Sequence, residues 1–243
     1  RELAFISTRS GSAQIWIIRP DGGEARQVTD FPLDVGNVKW SPQGDKLAFT
    51  AEMYPACEDM ACTAKKDKEK EENPVKARVY TSLLFRHWDT WEDGKRSHIF
   101  VMALEGDKEP LDLMKGLDGD SPTKPWGGTE EFDWSPDGKE ITYAAKMVGA
   151  KAAWSTDVDL YTVPVTGGKA LCITEENEAW DTIPTYSPDG KTLAYLAMAR
   201  PGFEADRFRV VLYDRASKKR TVLTEKWDRS PAWELAWTPQ GDR

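Results

Sequence analysis

Large apolar residues alternate with small or polar ones in several short stretches of the chain, and each stretch begins directly after a turn sequence. The clearest stretches are residues 47–50, 141–144 and 193–196, where Leu or Ile is followed two positions later by Phe or Tyr. Successive side chains of a β-strand point to opposite faces of a sheet. This period of two therefore predicts strands with one tightly packed face.

The turn before each of these strands is a repeated sequence: an aromatic residue, Ser, Pro, Asp or Gln, and Gly. Three copies, residues 40–50, 134–144 and 186–196, align without gaps, and residues 237–242 begin a fourth with Thr for Ser. Pro presets φ near −65° and Gly tolerates a positive φ, as a hairpin turn requires. The aromatic residues that begin the four copies are 94, 52 and 51 positions apart. Two intervals thus match a propeller repeat of roughly 40 to 50 residues, and the first holds a repeat plus an insertion.

A second hairpin follows in each copy, which makes four strands per repeat, the content of one propeller blade. We therefore expect an all-β fold, a β-propeller of about four blade equivalents, with almost no helix outside the insertion. Residues 1–6 read as a strand without its turn and residues 238–243 as a turn without its strand, so a partial propeller over residues 1–243 is expected. Closure of the four blades on themselves stays open as the alternative.

The insertion, at about residues 51–97, contains two different segments. The charged run at 65–72 is predicted to be a mobile, solvated loop. The segment at 79–91 combines aromatic rings with a cation, an imidazole and a carboxylate, a set that suits a peptide-binding pocket. The alternative is a buried aromatic clamp that anchors the insertion to its blade, with Arg86 paired to Asp89. The substrate-binding candidates of this segment are Arg86, His87, Trp88, Asp89 and Trp91, beside Tyr80 and Phe85.

A second candidate site is the loop at 203–207, which lies between two predicted strands of the fourth repeat. Glu204 or Asp206 is placed to bind the ammonium group of a substrate, with Arg207 beside them. A salt-bridged, purely structural loop is the alternative. Residues 155–159 offer too few oxygen ligands at suitable spacing for calcium, and no metal site is expected.

Composition and charge narrow the class of partner. The formal charge of −8 and the pI near 5.0 argue against a nucleic-acid partner, because phosphate binding draws on a basic surface. An acidic surface suits a cationic ligand instead. No apolar run approaches the roughly 18 residues of a membrane span, so no membrane partner is expected. Glycine-rich phosphate loops are missing from the sequence, and no cofactor is expected.

The three cysteines differ in their surroundings. Cys57 and Cys62 lie in one polar loop, whereas Cys172 lies within an apolar strand pattern. The pattern predicts one local disulfide and one buried thiol. Two free thiols, or half of a metal site, stay open for the loop pair. A disulfide would place the protein outside the cytoplasm, in the periplasm or secreted.

Catalytic motifs are absent from these 243 residues. The sequence has no Gly-x-Ser-x-Gly elbow, and its two histidines, His87 and His98, have no recognisable nucleophile turn. Their spacing relative to Cys57 and Cys62 fits no usual zinc pattern. We expect no catalytic residue in the chain, and no hydrolysis of peptides or esters by the chain alone.

The Ser-Pro-Asp-Gly turns resemble those of TolB-like propellers and of the propellers of prolyl oligopeptidase-type serine peptidases. Six further stretches resemble the bacterial dipeptidyl peptidase V and acylaminoacyl-peptidase-like group: residues 86–91, 125–132, 155–161, 181–187, 202–207 and 227–230. This resemblance covers essentially the whole chain. It implies a seven- or eight-bladed propeller that caps an α/β-hydrolase domain with a Ser-Asp-His triad.

From this resemblance we expect the chain to be the propeller portion of a serine exopeptidase that gates and positions short peptide substrates. The hydrolase domain would be its partner in cis and is not contained in these residues. The resemblance extends to the Cys57 to Cys62 loop, which is similar to insertions of periplasmic members. The alternative function is a TolB-like propeller that recruits protein partners.

Overall fold

Antiparallel sheets with consecutive strand order build both units into which the chain divides, Arg1–Asp118 and Gly119–Arg243. The computed structural model describes residues 2–81, 83–106 and 108–241. Each unit holds two sheets of three or four strands, ordered as in the blades of a propeller.

The first unit contains a three-stranded sheet, a four-stranded sheet, a two-stranded hairpin and one helix. The three-stranded sheet consists of β1 (Leu3–Ser7), β2 (Gln14–Ile18) and β3 (Arg26–Gln27). The second sheet is interrupted between β5 and β8 by helix α1 and the hairpin β6–β7. These later elements are β4 (Val35–Trp40), β5 (Lys46–Met53), α1 (Met60–Glu72), β6 (Arg86–His87), β7 (Thr90–Trp91), β8 (Arg96–Ala103) and β9 (Leu111–Asp112).

The second unit contains two four-stranded sheets. The first consists of β10 (Phe132–Trp134), β11 (Glu140–Ala145), β12 (Asp159–Pro164) and β13 (Leu171–Cys172). Short 3-10 turns occupy Thr129–Glu131 and Gly149–Ala153. The second sheet consists of β14 (Asp181–Tyr186), β15 (Thr192–Ala197), β16 (Arg209–Asp214) and β17 (Arg220–Val222).

The strand after each repeated turn forms the centre of its sheet, as the period of two predicts. The large apolar residues on one face of β5, β11 and β15 are all at most 3% exposed: Leu47, Phe49, Ile141, Tyr143, Leu193 and Tyr195. The predicted all-β architecture with about four blade equivalents is confirmed.

The turns themselves are closed by the serine of the repeat. The Ser135 hydroxyl donates to Asp137 Oδ1 at 2.7 Å, which locks the turn between β10 and β11. In the copy between β4 and β5, Gln43 replaces that aspartate, and the Ser41 hydroxyl donates instead to Asp45 Oδ1 at 2.8 Å. The carboxylate has moved by two positions and the turn keeps its hydrogen bond.

Helix α1 corrects one sequence prediction: the charged run at 65–72 is helical and not a loop. Asp59 caps the helix by accepting a hydrogen bond from the Cys62 amide at 2.7 Å. Lys and Glu have high helix propensity. Side chains four residues apart pair along the exposed face, Lys65 with Glu69 and Lys68 with Glu72.

Tertiary contacts hold this helix to the ends of β5 and β8. The Tyr54 hydroxyl donates to Asp67 Oδ1 at 2.9 Å, and Lys95 Nζ lies 3.1 Å from Asp67 Oδ2. Met60 and Thr63 are buried in the first turn. The prediction failed because charge composition alone does not reveal such anchors.

Candidate functional site

Three aromatic rings of the insertion form a cluster on the surface of the first unit. Tyr80 and Trp91 stack with centroids 5.8 Å apart, Tyr80 and Phe85 lie 5.5 Å apart, and Phe85 and Trp91 lie 6.3 Å apart. The hairpin β6–β7 positions two of these rings, because the Glu92 amide donates to the Phe85 carbonyl at 3.0 Å. We call Tyr80, Phe85 and Trp91 the aromatic cluster.

The aromatic cluster is open to solvent, so the alternative of a buried aromatic clamp is wrong. Its rings are 36% to 48% exposed, and Leu83 beside them is 47% exposed. Together these side chains line a shallow groove of about 680 Å³, the aromatic groove. Its lining residues are Arg78, Tyr80, Thr81, Leu83, Phe85 and Trp91.

Two guanidinium groups lie over the Trp91 ring. Arg78 Cζ is 5.9 Å and Arg86 Cζ is 5.8 Å from the ring centroid, within the range of cation–π attraction. Neither guanidinium makes a hydrogen bond or ion pair within the described part of the chain. Positive charge is therefore concentrated at this groove of an otherwise acidic chain.

Trp88 and Asp89 form the tip of the same hairpin. Trp88 is 66% exposed and has a φ of 50°, in the left-handed region that a bulky residue rarely adopts. Such a conformation costs on the order of 1 kcal/mol. Residues held in strained conformations of this kind are concentrated at functional sites. His87, in β6, is half-buried and Asp89 is exposed. Their roles in binding stay predictions.

The loop at 203–207, in the second unit, gives different positions to its two candidate carboxylates. The side chain of Asp206 is only 7% exposed, and its Oδ2 accepts hydrogen bonds from the amides of Ala199 (2.8 Å) and Arg200 (3.0 Å). Arg209 Nη1 lies 3.5 Å from the same oxygen. Burial by itself would raise the pKa of Asp206, but these amides and the Arg209 charge outweigh it and lower the pKa.

Glu204 makes no comparable hydrogen bonds, although its charge acts on the nearby Lys146. It is exposed, and no hydrogen bond or ion pair within the described residues holds its carboxylate. Phe203 next to it is 40% exposed and carries the Arg200 guanidinium 4.1 Å from its ring centroid. Arg207 points elsewhere, because it donates to the carbonyls of Thr224 and Glu225.

A second loop lies beside the 203–207 loop, and sequence reasoning missed it as part of a site. The Gly202 amide donates to the Thr156 hydroxyl at 2.9 Å, which joins the turn before β12 to the turn before β16. Trp154 in that turn is 64% exposed. Both loops were among the stretches that carry the family resemblance, and this was the available signal.

Charged side chains of both loops influence one another. Burial lowers the pKa of Lys146, and the charges of Glu204 and Asp157 partly oppose this. Burial, with the nearby carboxylates of Asp159 and Glu178, raises the pKa of Asp157. We call the exposed side chains of Trp154, Phe203 and Glu204 the rim site. The rim site and the aromatic groove belong to different units.

The remaining histidine and the cysteines are structural. His98 is 1% exposed, with Nδ1 2.9 Å from Asp112 Oδ2 and Nε2 3.1 Å from the Leu117 carbonyl. Cys57 and Cys62 form the predicted disulfide. Cys172 is a free thiol but only half-buried, because it lies on the edge strand β13, which corrects the expected fully buried thiol. Burial raises its pKa to about 11.

The described residues contain neither a metal-binding group of side chains nor a helix that could span a membrane. Among residues 2–81, 83–106 and 108–241, no three His, Cys, Asp or Glu side chains are grouped so that they could hold a metal ion. Across the same residues, the helices are too short or too polar to cross a membrane.

Comparison with known sequences identifies relatives along nearly the whole chain. No protein-family model matches. The chain is 32% identical over 241 residues to dipeptidyl-peptidase 5 of Porphyromonas gingivalis, covering 98% of this chain and 34% of that protein. It is also 32% identical to dipeptidyl-peptidase 5 of Arthroderma otae, covering 95% of this chain and 34% of that protein. The chain thus spans about a third of the length of these relatives.

Solved structures with the same fold are propellers. Pyrococcus horikoshii acylaminoacyl peptidase matches with a TM-score of 0.58 and 15% identity, covering 95% of this chain and 31% of that one. A putative TolB from Agrobacterium tumefaciens matches with a TM-score of 0.57 and 18% identity, covering 99% of this chain and 68% of that one. At these identities the likeness shows the propeller fold alone.

Proposed function

The chain is a propeller segment of the dipeptidyl-peptidase 5 type, related over nearly its whole length to proteins of that name, and from this premise we propose that it gates and positions short peptide substrates. The chemical step would belong to a separate α/β-hydrolase domain of the same protein. This chain would then contribute recognition and contain no catalytic residue.

The observation that carries the proposal is the exposed carboxylate of Glu204 at the rim site, which makes no hydrogen bond or ion pair within the described residues. An enzyme that releases dipeptides must distinguish a free amino terminus from an internal peptide bond, and a carboxylate is the natural partner of an ammonium group. A fully exposed ion pair is worth only about 0 to 1 kcal/mol. In this proposal the exposed rings of Phe203 and Trp154 would exclude part of the water and so strengthen the contact.

Asp206 acts in this proposal as a positioning residue. Its carboxylate binds the amides of Ala199 and Arg200 and so determines the path of the loop that carries Glu204. Arg209, from β16, completes the same arrangement. Loss of Asp206 would move Glu204 without removing the ammonium partner itself.

The disulfide between Cys57 and Cys62 supports a location in an oxidising compartment, because cytosolic thiols are kept reduced. We therefore propose that the protein works in the periplasm or is secreted. Labelling of free thiols in protein taken directly from cells tests this. Two thiols that react at once in the loop would contradict it.

The test uses the whole protein that contains this segment and compares dipeptidyl reporter substrates with free and acetylated amino termini. Glu204→Gln is expected to lower kcat/KM about tenfold for the free amino terminus, which corresponds to about 1.4 kcal/mol. The acetylated substrate should be unaffected. Glu24→Gln, an exposed glutamate of the β2–β3 turn, is the matched control. Equal kinetics of Glu204→Gln and Glu24→Gln would remove Glu204 from the site.

The second candidate is a TolB-like propeller that recruits protein partners. The propeller fold that the chain shares with the Agrobacterium tumefaciens TolB, at a TM-score of 0.57, is compatible with it. The two functions differ in the rest of the protein. A nucleophile elbow there and turnover that a serine-directed inhibitor abolishes support the peptidase, and a whole protein without either supports the binding propeller.

A further inference from the structure

We infer that the aromatic groove receives a carboxylate-bearing, apolar segment of a peptide, and not the amino terminus of that peptide. The inference deepens the proposed function, because it takes the peptide as the ligand class from there. It assigns opposite charge preferences to the two candidate sites: an ammonium group at the rim site and a carboxylate at the aromatic groove.

The charges around the groove decide this preference. Arg78 lines the groove, and the Arg78 and Arg86 guanidinium groups both lie within 6 Å of the Trp91 ring centroid. No carboxylate belongs to the described lining of the groove. An incoming ammonium group would meet two like charges, and the cation–π position over Trp91 is already taken.

Both guanidinium groups keep their hydrogen-bonding capacity for a ligand. The contact with a ring uses the face of a guanidinium, whereas its N–H donors point outward in the guanidinium plane. Within the described residues, neither Arg78 nor Arg86 donates a hydrogen bond to the protein. A carboxylate accepts such donors in pairs, and these charge-assisted bonds are about twice as strong as neutral ones.

The rings supply the apolar half of the recognition. Tyr80, Phe85 and Trp91 are nearly parallel in two of their three pairs, with interplanar angles of 18° and 22°. Proline-rich and aromatic peptide segments dock on exposed aromatic surfaces of this type, because their rigid side chains lose little entropy on binding. Leu83 extends the apolar floor. The preferred ligand therefore combines Pro or an aromatic residue with a nearby Glu, Asp or carboxyl terminus.

The experiment measures binding to the whole protein after treatment with a serine-directed inhibitor. The probes are acetyl-Pro-Phe-Glu with a free carboxyl terminus and acetyl-Pro-Phe-Gln-amide, which differ in charge and share an acetylated amino end. Isothermal titration calorimetry should show at least tenfold tighter binding of the acidic peptide, and the difference should shrink as salt is added. Equal affinities of the two acetylated peptides would overturn the inference, as would tighter binding of the amidated peptide.

Variants locate the effect. Arg78→Ala combined with Arg86→Ala should abolish the preference for the acidic peptide, whereas Trp91→Ala should weaken binding of both peptides. Arg19→Ala, which removes an exposed arginine of the same unit, should change neither. All four residues are on the surface, so the variants should fold, and circular dichroism checks this. A preference that survives the double variant would overturn the inference.

This outcome is independent of the rim site. Both probes lack an ammonium group, so failure of the Glu204 proposal leaves the peptide preference intact. If the groove inference fails, the expected tenfold effect of Glu204→Gln on kcat/KM still stands.

Discussion

Gly190 packs against Pro136, so that the turn of one blade lies on the turn of the blade before it. A methyl group on Gly190 would lie 3.5 Å from Cδ of Pro136. The same relationship recurs one repeat later, where a methyl group on Gly241 would lie 3.3 Å from Cδ of Pro188. The Pro and the Gly of the repeated turn therefore serve packing between blades as well as the local turn.

Replacement of Gly190 is expected to destabilise the protein through backbone strain and, for a larger side chain, also through overpacking. Gly190 has a φ of 69°, so Gly190→Ala should lower the free energy of unfolding by about 1 to 2 kcal/mol through backbone strain. Gly190→Val adds two methyl groups next to Pro136 and should cost about 1 to 3 kcal/mol more through overpacking. Urea unfolding measures both values.

Gly44 is the matched control for this series. It occupies the same turn position with a φ of 73°, and among the described residues its Cβ would have no neighbour within 4 Å. Gly44→Ala should therefore cost as much as Gly190→Ala, while Gly44→Val should cost less than Gly190→Val. Equal losses for the two valine variants would show that stacking on Pro136 is energetically unimportant.

A buried hydrogen bond joins the two sheets of the second unit and is expected to stabilise their packing. The Tyr186 hydroxyl lies 2.6 Å from Thr142 Oγ1 and 3.1 Å from Glu140 Oε1. Tyr186→Phe should lower the free energy of unfolding by about 1 to 2 kcal/mol. A double-mutant cycle with Thr142→Val measures the coupling, expected at about 1 kcal/mol. Additive losses would show that the two hydroxyls do not interact.

Stability should fall as pH rises through the neutral range because of Glu131. Burial raises the pKa of Glu131 to about 7, although Thr123 and Thr182 hydrogen bonds act in the opposite direction. The folded state then binds a proton more tightly than the unfolded state. This contribution to stability is complete below the ordinary pKa near 4.5 and is lost as pH rises through about 7. The total loss is about 3 kcal/mol.

Glu131→Gln tests this origin of the pH dependence. A glutamine amide can accept from the Thr123 amide and donate to the Thr123 and Thr182 hydroxyls, so the buried contacts survive. The variant should lose less stability than the wild type between pH 5 and pH 8 in urea unfolding. Burial also raises the pKa of Asp181, to about 8, so some pH dependence should remain. An unchanged slope would assign the effect to other groups.

The disulfide is expected to stabilise the start of helix α1. Closing the short loop between Cys57 and Cys62 removes unfolded-state entropy worth about 2 kcal/mol. Cys57→Ala combined with Cys62→Ala should speed hydrogen exchange of the α1 amides. The free thiol serves as the control, and Cys172→Ala should leave exchange in α1 unchanged. Wild-type exchange rates in the double variant would show that the other contacts of the helix hold it without the disulfide.

The candidate site was only partly predictable from the sequence. Residue types identified Glu204, Asp206 and the aromatic segment, because carboxylates and rings in loops are recognisable by composition. The sequence did not indicate the environments of these side chains. Asp206 is held by amides of residues six and seven positions earlier, and Glu204 is not, although the two residues are separated by only one residue.

The sequence by itself determined the blades, because the Ser-Pro-Asp-Gly turn and the period-two strands are local chemistry. Only the tertiary structure decided which polar groups lose water, since burial depends on residues far away along the chain. Glu131 is 1% exposed because it is enclosed by Thr182, 51 residues later. Ile183 is buried with a φ of 54°, a conformation that its own side chain disfavours and that the surrounding structure imposes. The tertiary structure therefore determines which groups have shifted pKa values and which side chains stay exposed for binding.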